Sequence, residues 1–348
     1  MKIIIFICLI FCLSIFTNCN SRSDNKEKHL AFLAGLVTLS NANSSASSDC
    51  LSSNISPTVD SISGLTRIQV KPSIAATCIK NYDEPHNIYP PSITQKGILS
   101  VFLPGTDATP NDYSLILQRG ATRGYHTIGL SYPNPDAVNT ICNSGLPTSL
   151  TCHGEVREEI LTGKDKSTLV AIDINNSIEG RLVALLKYLI KHRPNEGWDK
   201  FLSSNQLVFS KLYVGGHSQG SGHAGYHGKI RAIGRVSIYS GTSDYVTQTS
   251  SLPNWMYLNQ MAPQGSYFGF IHLNDSIANF SGNANQVTNS WLSPLGMSGT
   301  LTDVAVGSPY ANSNRLSTNA CAAMSSLVRH ACPIYNGYQS VWDYISYP

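Results

Sequence analysis

The segment Leu212-Tyr213-Val214-Gly215-Gly216-His217-Ser218-Gln219-Gly220-Ser221-Gly222-His223-Ala224 leaves few folds open to this chain. A short apolar run, read as a buried strand, passes into a serine and then into a Gly/Ala-rich stretch read as a helix. For a serine to project clear of a sheet, the chain must turn sharply from strand to helix. That turn brings the backbone close on both sides, so the residues two before and two after the serine must be small. Gly216 and Gly220 stand there, with Gly215 and Gly222 adding room. The helix that follows would point its N-terminal amides and the positive end of its dipole at the serine, favouring a developing oxyanion. Ser218 is therefore the candidate nucleophile.

The remainder of the body, residues 61 to 348, suits the same reading. Buried apolar runs alternate with amphipathic stretches, which is the pattern of a mostly parallel sheet covered by helices on both faces, an α/β fold. Strands are expected at Gly97–Leu103, His126–Tyr132, Leu212–Val214, Val236–Tyr239 and Tyr267–Ile271. Ser177–His192 is the clearest helix, with Ile178, Leu182, Leu185, Leu186 and Leu189 at three- and four-residue steps and Pro194 closing it. Helices are also expected at Tyr113–Gln118 and Val341–Ile345. Residues 133 to 168 read as irregular.

The elbow Gly216-His217-Ser218-Gln219-Gly220, with His223-Ala224 behind it, resembles that of bacterial esterases and lipases of the α/β-hydrolase superfamily. Upstream, Val101-Phe102-Leu103-Pro104-Gly105-Thr106-Asp107 resembles the strand-to-loop segment that supplies half of their oxyanion hole. The resemblance covers roughly residues 95 to 348. It implies an α/β-hydrolase fold and assigns the oxyanion-binding N–H groups to Thr106 and Gln219, with Gly105 permitting close approach. No cofactor is implied.

A serine nucleophile needs a base, and the base needs a carboxylate to hold its tautomer. In this fold the chain order is serine, acid, histidine. Beyond Ser218 the acids are Asp244, Asp275, Asp303 and Asp343. Asp275, which closes Phe270-Ile271-His272-Leu273-Asn274-Asp275, stands where the family places its acid, and Asp244 is the alternative. His330 is the one histidine beyond Asp275. It lies between Cys321 and Cys332, somewhat later than the family position near 320–325. His217 is held in the nucleophile's own turn and is expected to be structural. His223 and His227 are spaced as metal ligands on a helix face, but no Glu follows His223 and no third ligand is evident, so packing or capping is expected and no metal.

The first residues point to export. Met1-Lys2 gives a minimal positive region, and Ile3–Phe16 is apolar apart from Ser14. Those fourteen residues would span only about 21 Å as a helix, short for a membrane crossing. Residues 1–18 therefore read as a cleaved signal. Cys19 at its end resembles the lipid-modified cysteine of bacterial lipoproteins, although Asn18 departs from the usual small residue. Residues 19–60, rich in Ser and Asn, read as a tether. Cys8 and Cys12 fall in the leader, and the six cysteines beyond Cys19, Cys50, Cys78, Cys142, Cys152, Cys321 and Cys332, form three sequence-neighbouring pairs and read as disulfides in an exported chain. No Cys/His grouping has zinc spacing. The formal net charge of +3, with charged residues at only 13%, gives no basic patch for nucleic acid.

The expectation is an exported serine hydrolase that cleaves carboxylic esters. It would act on a small-molecule or lipid ester and reach the membrane through its lipid anchor. A peptidase or amidase using the same triad, and a surface lipoprotein keeping the fold as a binding scaffold, are the alternatives. Tyr113, Tyr132, Tyr245, Trp255 and Tyr257 are candidates for an apolar mouth.

Overall fold

A computed structural model describes residues 50–348, apart from Lys80, Ala284 and Asn336. The expected signal, most of the tether and Cys19 lie outside the described residues.

The main sheet has ten strands: β1 (Thr58–Ile62), β2 (Leu65–Val70), β3 (His86–Tyr89), β4 (Leu99–Leu103), β5 (His126–Gly129), β6 (Leu212–His217), β7 (Arg235–Tyr239), β8 (Tyr267–His272), β9 (Thr302–Asp303) and β10 (Arg315–Thr318). Their spatial order is β1-β2-β3-β5-β4-β6-β7-β8-β10-β9. From β5 to β9 all pairings are parallel, while β1, β2 and β3 join antiparallel at one edge. The reversal of β4 and β5 in space, with parallel strands following on one side, is the order of an α/β-hydrolase fold.

Alternation along the strands divides the core in two. Leu99, Val101 and Leu103 of β4, with Val214 of β6, pack into one cluster, joined by Val156, Ile160 and Leu161 and by Ile178, Leu182, Leu185 and Leu189. Phe102 of β4 and Tyr239 of β7 point the other way, against Ile116, Leu117, Ala121, Val341 and Trp342. Helices thus cover both faces. Those of six residues or more are α1 (Ser114–Thr122), α2 (Val138–Asn143), α3 (Cys152–Thr162), α4 (Ile178–His192), α5 (Gln219–Ile230), α6 (Gln286–Trp291), α7 (Ser326–Ala331) and α8 (Gln339–Ile345). α4 starts where the Ser177 hydroxyl accepts the N–H of Gly180 at 3.0 Å, a cap worth about 1 kcal/mol.

Two expectations change. Residues 133–168 are not irregular throughout: α2 and α3 lie there, joined by the Cys142–Cys152 disulfide. Their mixed polar faces hid the periodicity. The folded body also begins before residue 61, because Cys50 is bridged to Cys78 and β1 starts at Thr58. Ile55 offers its carbonyl to the Tyr188 hydroxyl at 2.6 Å. Among the described residues, no helix is long and apolar enough to cross a membrane.

Candidate active site

Five of the sequence-predicted site residues follow the carboxyl ends of parallel strands. Thr106 follows β4, Ser218 follows β6, Asp244 follows β7, Asp275 follows β8, and His330 comes after β10. In open α/β sheets that end is where ligands bind.

Ser218 sits between β6 and α5 with φ 54° and ψ −120°, a backbone state that L-residues rarely adopt. Its N–H bonds to the carbonyl of Tyr239 at 2.9 Å. Its own carbonyl accepts the Ser221 hydroxyl at 2.5 Å. The side chain remains partly open to solvent. A Cβ on Gly216 would lie 2.3 Å from the carbonyl carbon of Gly220, and one on Gly220 would lie 2.0 Å from the carbonyl oxygen of Leu103. Backbone blocks both positions, so only glycine fits. Gly215 is not crowded in that way, its nearest atoms standing 3.4 Å from a Cβ. The space beside Gly222 holds the guanidinium of Arg157.

His330 lies on α7 inside the Cys321–Cys332 disulfide loop. Its Nδ1 is 2.8 Å from Oδ2 of Asp275, and both side chains are buried. Asp275 uses its other oxygen to accept the N–H groups of Ile277 at 3.0 Å and Ala278 at 2.9 Å. A carboxylate beside Nδ1 makes that nitrogen the donor and leaves Nε2 as the basic lone pair. The backbone carbonyl of His330 accepts from His217 Nε2 at 3.0 Å and from the Ser240 hydroxyl at 2.6 Å. The rings of His217 and His330 are 4.7 Å apart. His330 thus rests against the turn that carries Ser218. Arg329, next to it, donates to the carbonyls of Asn274 at 3.0 Å and Met324 at 2.7 Å, joining the loop of Asp275 to the loop of His330.

Asp244 is engaged elsewhere. It accepts both arms of the Arg157 guanidinium and the indole N–H of Trp255 at 2.8 Å. Burial alone would raise its carboxyl, but the Arg157 charge and hydrogen bonds hold it below the ordinary range. Arg157 also reaches the carbonyl of Gln219 at 3.3 Å, which places this buried pair under the start of α5. A local sequence reading gave no sign of it, because its members are 87 residues apart.

Thr106 and Gln219 meet. The Thr106 hydroxyl donates to Oε1 of Gln219 at 3.1 Å, and the Val138 N–H donates to the same oxygen at 3.2 Å. A cavity of about 180 Å³ is lined by Pro104 and Asp107 of the same loop, with Tyr82, Glu84, Tyr132 and Asn134.

The other candidates fall apart from this group. His223 is buried edge-on against Tyr132, and burial holds its pKa well below the usual value. His227 pairs with Glu179 at 2.9 Å. Among the described residues, no group of three His, Cys, Asp or Glu side chains could hold a metal ion. Of the aromatic residues, Tyr113 and Trp255 are buried with their polar atoms committed inside the protein, so neither forms a mouth. Tyr257 is exposed and Tyr245 packs against Phe280.

No family model matches the chain, and no curated protein matches it. Among solved structures it is similar to a dienelactone hydrolase from Anabaena variabilis, at 11% identity and a TM-score of 0.36, covering 83% of this chain and 98% of that one. The fold assignment rests on the strand order described above.

Proposed function

We propose that the chain is an exported serine hydrolase of carboxylic esters. Ser218 attacks the ester carbonyl, His330 takes its proton and returns it to the leaving alcohol, and Asp275 orients the imidazole and balances its charge. The N–H groups of Thr106 and Gln219 receive the oxyanion. One observation carries this reading: the serine of the strained turn has, seated against that turn, a buried histidine whose Nδ1 is 2.8 Å from a carboxylate. Export is supported by three disulfides, Cys50–Cys78, Cys142–Cys152 and Cys321–Cys332, bonds that persist in oxidising compartments. A lipid on Cys19 would hold the protein at a membrane. The test is covalent labelling by a fluorophosphonate probe, together with hydrolysis of p-nitrophenyl esters of increasing chain length. Ser218→Ala should lose both with little change in Tm. Wild-type protein that takes no probe and cleaves no ester would leave the binding scaffold as the function.

A further inference from the structure

His217 is placed as a neighbour of the nucleophile, yet each of its ring nitrogens serves a different part of the site. Nε2 is 3.0 Å from the backbone carbonyl of His330, and Nδ1 is 3.1 Å from the Tyr113 hydroxyl. That hydroxyl in turn accepts the backbone N–H of Gly105 at 2.9 Å. Proton positions follow from the partners. A carbonyl only accepts, so Nε2 carries the hydrogen. Nδ1 must then accept from Tyr113, which leaves the phenol oxygen's lone pair for Gly105. One directed chain of hydrogen bonds therefore runs from the oxyanion loop, through Tyr113 and His217, to the main chain of His330.

The chain works only with a neutral imidazole and a protonated phenol. Burial pushes the His217 pKa down to about 3, with the adjacent His330 adding to the effect, and burial raises the Tyr113 phenol. Both side chains are buried among protein atoms. Gly105 is close to the nucleophile as well: a Cβ there would lie 3.2 Å from that of Ser218. The Ser240 hydroxyl holds the same His330 carbonyl from another side, so losing His217 would loosen the base without releasing it.

We propose that His217 and Tyr113 are positioning residues that fix the oxyanion loop and the base relative to Ser218. This rests on the hydrolase reading above. Neither residue is assigned contact with substrate, so removing their polar atoms should lower kcat and spare KM. Displacements on the order of 1 Å in such sites cost up to about 100-fold in rate.

The experiment compares Tyr113→Phe, His217→Phe, the double variant and His217→Gln, with kcat and KM measured for one p-nitrophenyl ester and folding checked by circular dichroism. Tyr113→Phe keeps the ring in place and so remains informative if a His217 variant fails to fold. Each Phe variant should lose roughly 10- to 100-fold in kcat with KM nearly unchanged. The double variant should be little worse than His217→Phe alone, because both residues act in one chain. His217→Gln, whose side-chain amide offers an N–H toward His330, should recover part of the loss. Folded Tyr113→Phe with wild-type kcat, or losses that add in full, overturns the positioning role while wild-type ester cleavage leaves the hydrolase reading intact. Wild-type protein that neither cleaves ester nor takes a fluorophosphonate overturns both.

Discussion

Nδ1 of His330 and Oδ2 of Asp275, 55 residues apart in sequence, stand 2.8 Å from each other in the folded chain. Asparagine at 275 would offer an amide in place of the carboxylate and favour the wrong imidazole tautomer. Asp275→Asn should therefore lower kcat by roughly 10³- to 10⁴-fold. His330→Gln should lose at least as much, and the two losses should not add. Steady-state kinetics of the single and double variants checks this, and near-wild-type kcat in Asp275→Asn would refute the assignment.

Arg157 and Asp244 form a buried ion pair, with side-chain exposures of 3% and 0%. Removing one partner of such a pair costs about 3–5 kcal/mol, because a charge is left buried alone. Arg157→Met should lower stability by that order, and pairing it with Asp244→Leu should restore a good part. Urea denaturation of the two variants decides. A single variant as stable as the double would contradict the account.

The Cys321–Cys332 bridge joins cysteines 11 positions apart in sequence and closes a loop that contains His330. Opening it should cost roughly 3 kcal/mol by freeing the unfolded chain. It should also lower ester hydrolysis, since the base then hangs on an unfastened loop. Cys321→Ser with Cys332→Ser, assayed for Tm and kcat, tests both effects. Unchanged kcat would mean that Arg329 and Ser240 hold His330 without help from the bridge.

Acid should destabilise the protein through its buried histidines. Burial lowers both His86 and His217 from the ordinary 6.5 to about 3. Between those values the unfolded chain holds the proton and the folded chain does not, so stability rises with pH across the window. It is complete above the unfolded value and falls as pH drops toward 3, by at most about 1.4 kcal/mol per pH unit for each histidine. Urea midpoints at pH 7, 6, 5 and 4 should decline below about 6.5, and a flat series would count against it.

The lipid anchor proposed at Cys19 has its own test. Cys19→Ser should shift the exported protein from the detergent phase to the aqueous phase, or leave it unprocessed. An N-terminus mapped by mass spectrometry to another residue, without lipid, would remove the anchor.

Much of the fold is legible in the sequence, and the reason is local. Gly216 is required by its backbone contact with Gly220, four residues on, so that half of the turn is written in a short string, whereas Gly220 is crowded by the carbonyl of Leu103 from a distant strand. Chain order left His330 as the one histidine beyond Asp275, and the family resemblance put Asp275 ahead of Asp244. What escaped is what depends on distance along the chain. Asp244 was the alternative acid until Arg157 was seen beside it, and His217 read as inert because Tyr113 and His330 are both more than a hundred residues away. β1 escaped for another reason: four of its five residues are exposed, so no buried face was there to set a period.

The crowding at the elbow separates two kinds of inheritance. Ser218 presents a partly open side chain, and alanine in its place meets no new atom. Gly220 has the Leu103 carbonyl 2.0 Å from where a methyl would go. The serine can thus be replaced with the architecture kept, but the flanking glycines cannot be altered without rebuilding the strand-to-helix passage.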